Sequence, residues 1–166
     1  MFLYLFASAA LAEPSAELME RATGTFQSTD ETSILNGRRA AAIERTLEPM
    51  NFAIALLARG KLEDTLTVCE SYSAKLDGNT FTFQCDDKNP VTTVLGGGPA
   101  PFITKKGKTY QVSSTLQGES VVSVFFQGDS GGQLTAFDFS GEIIVVTKTV
   151  TSDMLEVPLV CAFNYR

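Results

Sequence analysis

The sequence predicts a mainly β protein: an antiparallel up-and-down β-barrel of eight or nine strands with a helical pair inserted after the first strand. Two observations carry this prediction. Turn signals recur roughly every 8 to 12 residues after position 61, and residues 37–60 have helical periodicity instead. A meander of short strands must hide its edges, and closure into a barrel does so. An open sheet that wraps around the helices is the alternative.

The elements outside the helical pair follow in chain order. A short helix is expected at residues 15–22, and a first strand rich in β-forming residues at 23–28. About eight strands remain after the helices, and Phe81 and Phe83 alternate there with polar residues, as a half-buried strand requires. The turns that separate these strands lie at residues 77–79, 96–99, 105–108, 118–119, 128–132, 140–141 and 152–158.

The helical stretch divides in two at Pro49, because proline cannot continue a helix interior. We expect helices at about residues 38–48 and 50–59, with Gly60 ending the second. Residues 50–58 are apolar nearly all round. We therefore expect the second helix to be covered on more than one side.

Residues 1–12 have the pattern of a secretory signal peptide. Residues 2–11 form a short apolar run, and an A-x-A cleavage pattern ends at Ala12. The run is shorter than the roughly 20 residues that a membrane-spanning helix needs, and no later stretch is long enough either. The sequence thus predicts one domain at residues 13–166 that is secreted or periplasmic. An apolar N-terminal helix is the alternative interpretation of the run.

The charged and titratable residues exclude several classes of function. The net charge is −6, which argues against nucleic acid as a partner, because phosphate binding needs clustered Lys and Arg. The chain contains no His, so the usual general base and the usual zinc ligand are both missing. We expect no cofactor and no metal.

The sequence GDSGG at residues 128–132 matches the surroundings of the nucleophilic serine in chymotrypsin-like proteases. That serine needs a base, and no His is present to supply it. Glycine, aspartate and serine are also the residues that turns favour. We therefore interpret GDSGG as a hairpin turn and expect no enzymatic activity. An enzyme that uses carboxylates alone remains a third hypothesis.

Three cysteines follow the predicted cleavage site: Cys69, Cys85 and Cys161. Cys69 and Cys85 flank the turn at residues 77–79 almost symmetrically, and a hairpin there would bring them within about one residue of register. In an oxidising compartment the sequence therefore predicts a Cys69–Cys85 disulfide and a free Cys161. Three buried thiols are the alternative.

The order of elements resembles the calycin group of lipid-binding barrels. Gly24-Thr25-Phe26 is similar to the G-x-W that opens the first lipocalin strand, with Arg166 as the basic partner on the last strand. A helix pair between the first and second strands is similar to the lid of the fatty-acid-binding proteins. The resemblance implies one lipocalin-like barrel at residues 13–166. It also implies a carboxylate-binding role for the Tyr and Arg of the last strand.

The leading functional hypothesis is a binding protein for a small hydrophobic or amphipathic ligand inside the barrel. The candidate ligand contacts are apolar rings and two polar residues near the C-terminus: Phe52, Phe83, Phe125, Phe137, Phe163, Tyr165 and Arg166. Plain core packing, or a solvated terminus for Arg166, is the alternative for each. The alternative function is a protein-interaction or inhibitor module that presents the loops at residues 96–102 and 128–132.

Overall fold

The computed structural model describes residues 13–166. The predicted signal peptide, residues 1–12, lies outside the described residues. The elements in chain order are α1 (Ala16–Arg21), β1 (Gly24–Gln27), α2 (Thr32–Leu47), α3 (Phe52–Thr65), β2 (Ser71–Asp77), β3 (Thr80–Cys85), β4 (Val91–Val94), β5 (Ala100–Ile103), β6 (Thr109–Gln117), β7 (Val121–Gly128), β8 (Gly131–Asp138), β9 (Ile144–Ser152) and β10 (Leu159–Tyr165).

The strands form two antiparallel sheets, with the orders β1-β2-β3-β4 and β10-β9-β8-β7-β6-β5. The sheets meet between β1 and β10, where Gln27 and Arg166 exchange two backbone hydrogen bonds of 2.8 Å. They meet again where Gly96 N–H donates to the carbonyl of Ser114 at 2.7 Å, beside the parallel bridge from Leu95 to Ser114. These contacts join the sheets into a barrel-like wall.

The predicted fold class is confirmed: the described chain is mainly β, with a helical pair after the first strand. The strand count differs, because ten strands are present rather than eight or nine. Nine of the ten strands follow the helices, one more than the eight expected there. They include β4 and β5, which have only four residues each.

Both helices of the pair extend beyond the predicted bounds. The second begins at Phe52 and is capped by Asn51, whose side-chain oxygen accepts a hydrogen bond from the N–H of Ala53 at 3.0 Å. It continues through Gly60 to Thr65, so the predicted stop at Gly60 is wrong. A glycine inside a helix costs about 1 kcal/mol, and Leu62, buried two residues later, supplies packing that offsets this cost.

The three helices cover the barrel unequally. On α1, Leu18 is buried. Just after α1, the hydroxyl of Thr23 accepts a hydrogen bond of 3.2 Å from the N–H of Leu76, which attaches this end of the helix to β2. Helix α2 packs against β10 and buries Leu35 and Ile43. Helix α3 leaves four large apolar side chains exposed: Phe52, Ile54, Leu56 and Leu57. The expectation that this helix is covered on more than one side is therefore wrong. No helix within residues 13–166 is both long and apolar enough to cross a bilayer.

Candidate functional site

A row of polar side chains crosses the apolar interior of the larger sheet. Thr135 on β8, Lys148 on β9 and Cys161 on β10 are direct cross-strand partners, and all three are buried. Directly opposed residues of neighbouring strands point to the same face. Lys148 therefore projects inward with its alternate neighbours Val146 and Val150, which are also buried.

The amine of Lys148 is held by the segment that links α3 to β2. Its Nζ atom donates a hydrogen bond of 2.6 Å to the backbone carbonyl of Thr67 and lies 3.8 Å from Sγ of Cys69. It also lies 5.9 Å from the centre of the Tyr72 ring. Burial, and secondarily the charge of Lys88, lowers the pKa of Lys148 to about 7.

The predicted Cys69–Cys85 disulfide is confirmed, with a Cα–Cα distance of 5.5 Å, and Cys161 is free and buried. The register differs from the expectation, since Cys85 pairs with Tyr72 and Cys69 precedes strand β2. Asp86 makes this arrangement possible, because its carboxylate accepts hydrogen bonds from the backbone N–H groups of residues 70 and 71. Those bonds turn the chain so that Cys69 lies over Cys85.

Tyr165 connects the last strand to the same linking segment. Its buried hydroxyl donates a hydrogen bond of 2.9 Å to the carbonyl of Cys69. The ring meets that of Tyr72 edge to face at a centroid distance of 5.0 Å. Burial raises the pKa of both phenols. Both phenol groups are therefore neutral at physiological pH, and the hydroxyl of Tyr165 acts as a hydrogen-bond donor.

Aromatic rings fill most of the remaining interior. Phe137 lies at the centre of this cluster, with ring centroids 5.3 Å from Tyr72, 5.4 Å from Phe81 and 5.0 Å from Phe83. The contacts continue from Phe83 to Phe126 at 6.4 Å. An apolar lining with a few polar groups is the composition of a small-molecule site, and the contacts between rings show that the interior is also tightly packed.

The structure brings four of the seven predicted ligand contacts together inside the barrel: Phe83, Phe137, Phe163 and Tyr165. The other three lie elsewhere. Phe52 is 82% exposed on α3, where it lines an open groove of about 470 Å³ between the two long helices. Phe125 is 36% exposed and belongs to the outer face of β7. Arg166 is exposed, and its backbone bonds to β1.

Lys148 and Thr135 are interior residues that the sequence interpretation missed. The alternation of buried residues along β9 could have identified Lys148 from the sequence. Ile144, Val146 and Val150 are buried at every second position of that strand, and Lys148 occupies the one polar place in the same series. A lysine in the apolar phase of a strand indicates an inward-facing amine.

The GDSGG stretch is a turn, as predicted. Gly128 and Gly131 are partners at the ends of β7 and β8, so exposed Asp129 and Ser130 form a two-residue connection. A Cβ atom added at Gly131 would lie 2.2 Å from the carbonyl oxygen of Thr151. Close approach of the neighbouring strand therefore requires glycine at this position.

Solved structures that are similar to this chain include fatty-acid-binding proteins. One from Drosophila melanogaster brain tissue has a TM-score of 0.51 and 17% identity, and the match covers 87% of this chain and 98% of that one. One from Schistosoma mansoni, in complex with arachidonic acid, has a TM-score of 0.53 and 15% identity, covering 90% and 97%. This chain has the fatty-acid-binding-protein fold. The predicted resemblance to calycin barrels is thereby confirmed.

The structure of this chain is also similar to that of a domain from an enzyme. A luciferase domain from the dinoflagellate Lingulodinium polyedrum has a TM-score of 0.56 and 13% identity, and the match covers 92% of this chain and 43% of that one. No protein-family model matches the sequence, and no curated protein matches it. Since one fold supports many functions, the fold alone does not determine the function of this chain.

Proposed function

We propose that the protein binds a small hydrophobic or amphipathic molecule inside the barrel, beneath the helical pair. The observation that carries this proposal is the composition of the interior. It is lined by aromatic rings and holds a few inward polar groups, among them Lys148, Thr135 and the hydroxyl of Ser114, which is buried without a hydrogen-bond partner in residues 13–166. Ligand sites combine these two kinds of lining.

The shared fold supports the class of ligand. The Schistosoma mansoni protein holds arachidonic acid, and we infer an amphipathic, lipid-like ligand for this chain. The tight ring contacts around Phe137 mean that such a ligand must displace side chains on binding. A molecule with a large apolar area best offsets the free-energy cost of displacing these side chains, since each Å² of apolar surface removed from water contributes about 25 cal/mol.

We further propose that the protein acts outside the cytosol as a secreted or periplasmic carrier. Two features support this location independently: the signal-peptide pattern of residues 1–12 and the disulfide between Cys69 and Cys85. Mass spectrometry of the exported protein tests it. We expect the N-terminus at Glu13, and an uncleaved chain retained in the cytosol would contradict the proposed location.

Uptake of a fluorescent fatty acid, cis-parinaric acid, tests the binding function. A matched pair of variants assigns the site, because Val150 points into the barrel and Val160 is exposed on the next strand. We expect the wild type and Val160→Phe to bind the probe and Val150→Phe, whose added ring fills the interior, to lose it. Circular dichroism checks that each variant folds, since overpacking costs about 1–3 kcal/mol.

The second candidate is a protein-interaction or inhibitor module. The filled interior favours it, together with the exposed side chains of Phe52, Leu56 and Leu57 on α3. The probe experiment separates the candidates. A folded wild type that takes up no probe, or uptake that disappears in Leu57→Ser and persists in Val150→Phe, would overturn the carrier proposal and favour the module.

A further inference from the structure

We propose that Lys148 captures its ligand covalently and reversibly, by forming an imine with the carbonyl carbon of an apolar aldehyde or ketone. The inference rests on the proposed function, because the carbonyl compound must first enter the barrel. It names a ligand class, a reacting atom and a bond that the shared fold does not imply.

The surroundings of Lys148 favour a neutral, nucleophilic amine. The side chain is 4% exposed, and none of the ion pairs within residues 13–166 includes it. A buried ammonium without a carboxylate partner costs several kcal/mol, so the group loses its proton instead. One N–H donates to the carbonyl of Thr67, and this bond leaves the nitrogen lone pair free.

The charged and titratable groups around Lys148 act in both directions. Lys88 opposes a charge on the amine, while Cys161 and Asp86 favour it. The Tyr72 ring, at 5.9 Å, also favours the cation. Burial exceeds these effects, and the resulting pKa of about 7 leaves about half of the Lys148 amines neutral at pH 7.

The other lysines of the chain provide an internal comparison. All six are exposed, although partial burial also lowers the pKa of Lys88; they are Lys61, Lys75, Lys88, Lys105, Lys106 and Lys108. A lysine side chain in water, with a pKa near 10.4, is neutral in only about one molecule in 2,500 at pH 7. Imine formation needs the neutral amine, because only its lone pair can attack a carbonyl carbon. Lys148 therefore has a much larger reactive fraction than a lysine side chain in water has.

The reaction balances without any further reagent. The nitrogen of Lys148 attacks the carbonyl carbon and a C–N bond forms. The carbonyl oxygen takes both amine hydrogens and leaves as water, so the product is a C=N double bond between ligand and lysine. The aromatic lining keeps solvent away from this bond and slows its hydrolysis. Release of the ligand is the reverse reaction with one water molecule.

A neutral carbonyl compound fits this site better than a carboxylate does. A carboxylate would require the protonated lysine, and both charges would lose their hydration in the interior. An aldehyde or ketone brings no charge, and its chain extends among the rings around Phe137. Binding of a carboxylate without covalent reaction is the competing outcome of the test.

Reductive trapping tests the inference. The protein is incubated at pH 7 with dodecanal and sodium cyanoborohydride, which reduces the imine to a stable secondary amine, and peptide mapping locates the adduct. We expect one adduct on Lys148, at least about tenfold above each exposed lysine, given the ratio of neutral amines. Lys148→Met removes it, whereas the exposed Lys61→Met, whose charge does not act on Lys148, leaves it unchanged. Lys148→Arg, which keeps a cationic side chain at this position, should also lose the adduct.

Binding of cis-parinaric acid, measured in parallel, separates the two proposals. Probe binding together with an adduct confined to Lys148 supports both. Probe binding with adducts spread over the exposed lysines, or with none, overturns imine capture and leaves the carrier function standing. Absence of both probe binding and a Lys148 adduct overturns both proposals.

Discussion

The hydroxyl of Tyr165 donates a hydrogen bond of 2.9 Å to the carbonyl of Cys69, across 96 positions of sequence. Two further contacts hold the same segment between α3 and β2. Lys148 bonds to the carbonyl of Thr67, and a disulfide joins Cys69 to Cys85. The end of the helical pair is thus attached to strands β3, β9 and β10.

Removal of the Tyr165 hydroxyl should destabilise the protein. In Tyr165→Phe the buried carbonyl of Cys69 loses its hydrogen-bond donor, and we expect the free energy of unfolding to fall by about 1–3 kcal/mol. Urea denaturation measures the change. Tyr110→Phe is the matched control, because that ring is only half-buried and packs against Phe126, and it should change stability by less than about 0.5 kcal/mol. Equal effects of the two substitutions would argue against the bond.

Reduction of the disulfide should also destabilise the fold. Cys69 and Cys85 are separated by 16 positions, and a loop of this size stabilises by about 3 kcal/mol through restriction of the unfolded chain. Urea denaturation with and without dithiothreitol measures the difference. The difference should persist in Cys161→Ala and disappear in the Cys69→Ala/Cys85→Ala double variant. Sensitivity to the reductant in that double variant is the contrary result.

Lys148 should make stability depend on pH in a defined direction. Its folded-state pKa of about 7 lies below its ordinary value of 10.5. Between these values the unfolded chain binds more protons, so the free energy of unfolding rises with pH, by at most about 1.4 kcal/mol per pH unit. Below about pH 7 both states are protonated, and the full cost of burying the charge is present.

Comparison with Lys148→Met isolates this effect, since the two proteins share every other titrating group. We expect the free energy of unfolding of the wild type to lie furthest below that of Lys148→Met at pH 6. The difference should shrink between pH 7 and 8.5. Measurement stops at pH 8.5 because Cys161, the cross-strand partner of Lys148, begins to ionise at higher pH, and the charge of Lys148 affects the pKa of its thiol. Parallel stability curves would show that Lys148 keeps an ordinary pKa.

Two neighbouring residues of the GDSGG turn, Ser130 and Gly131, should respond differently to substitution. In Gly131→Ala the new Cβ would lie 2.2 Å from the Thr151 carbonyl, so the strands must separate, and we expect a loss of about 1–3 kcal/mol. Ser130 is exposed, and Ser130→Ala should change stability by less than about 0.5 kcal/mol. Thermal denaturation measures both. A large effect at Ser130 would mean that the turn depends on that hydroxyl.

The sequence predicted the fold class because its signals there are local. Turn residues such as Gly78 and Gly118, both with positive φ, mark the hairpins directly. The disulfide was predicted correctly from an approximate register, although Cys69 lies outside the strand. The exact pairing depends on the hydrogen bonds from residues 70 and 71 to Asp86, and such tertiary contacts leave no periodic signal.

The candidate site was less predictable, because composition does not show which face of an element is inward. Phe52 and Phe137 are both phenylalanines, yet one is exposed on α3 and the other is fully enclosed. The phase of each strand separates such cases when it is followed residue by residue, and Lys148 would have been found in this way. The contact of Lys148 with Thr67 joins residues 81 positions apart and requires the folded chain.

Native mass spectrometry of the protein, purified under mild conditions, tests the carrier proposal most directly. We predict a population heavier than residues 13–166 by one small apolar molecule, which is lost on denaturation unless it has been trapped on Lys148 by reduction. The bare mass alone, from folded protein that also takes up no cis-parinaric acid, would contradict the account and identify the barrel as a filled core.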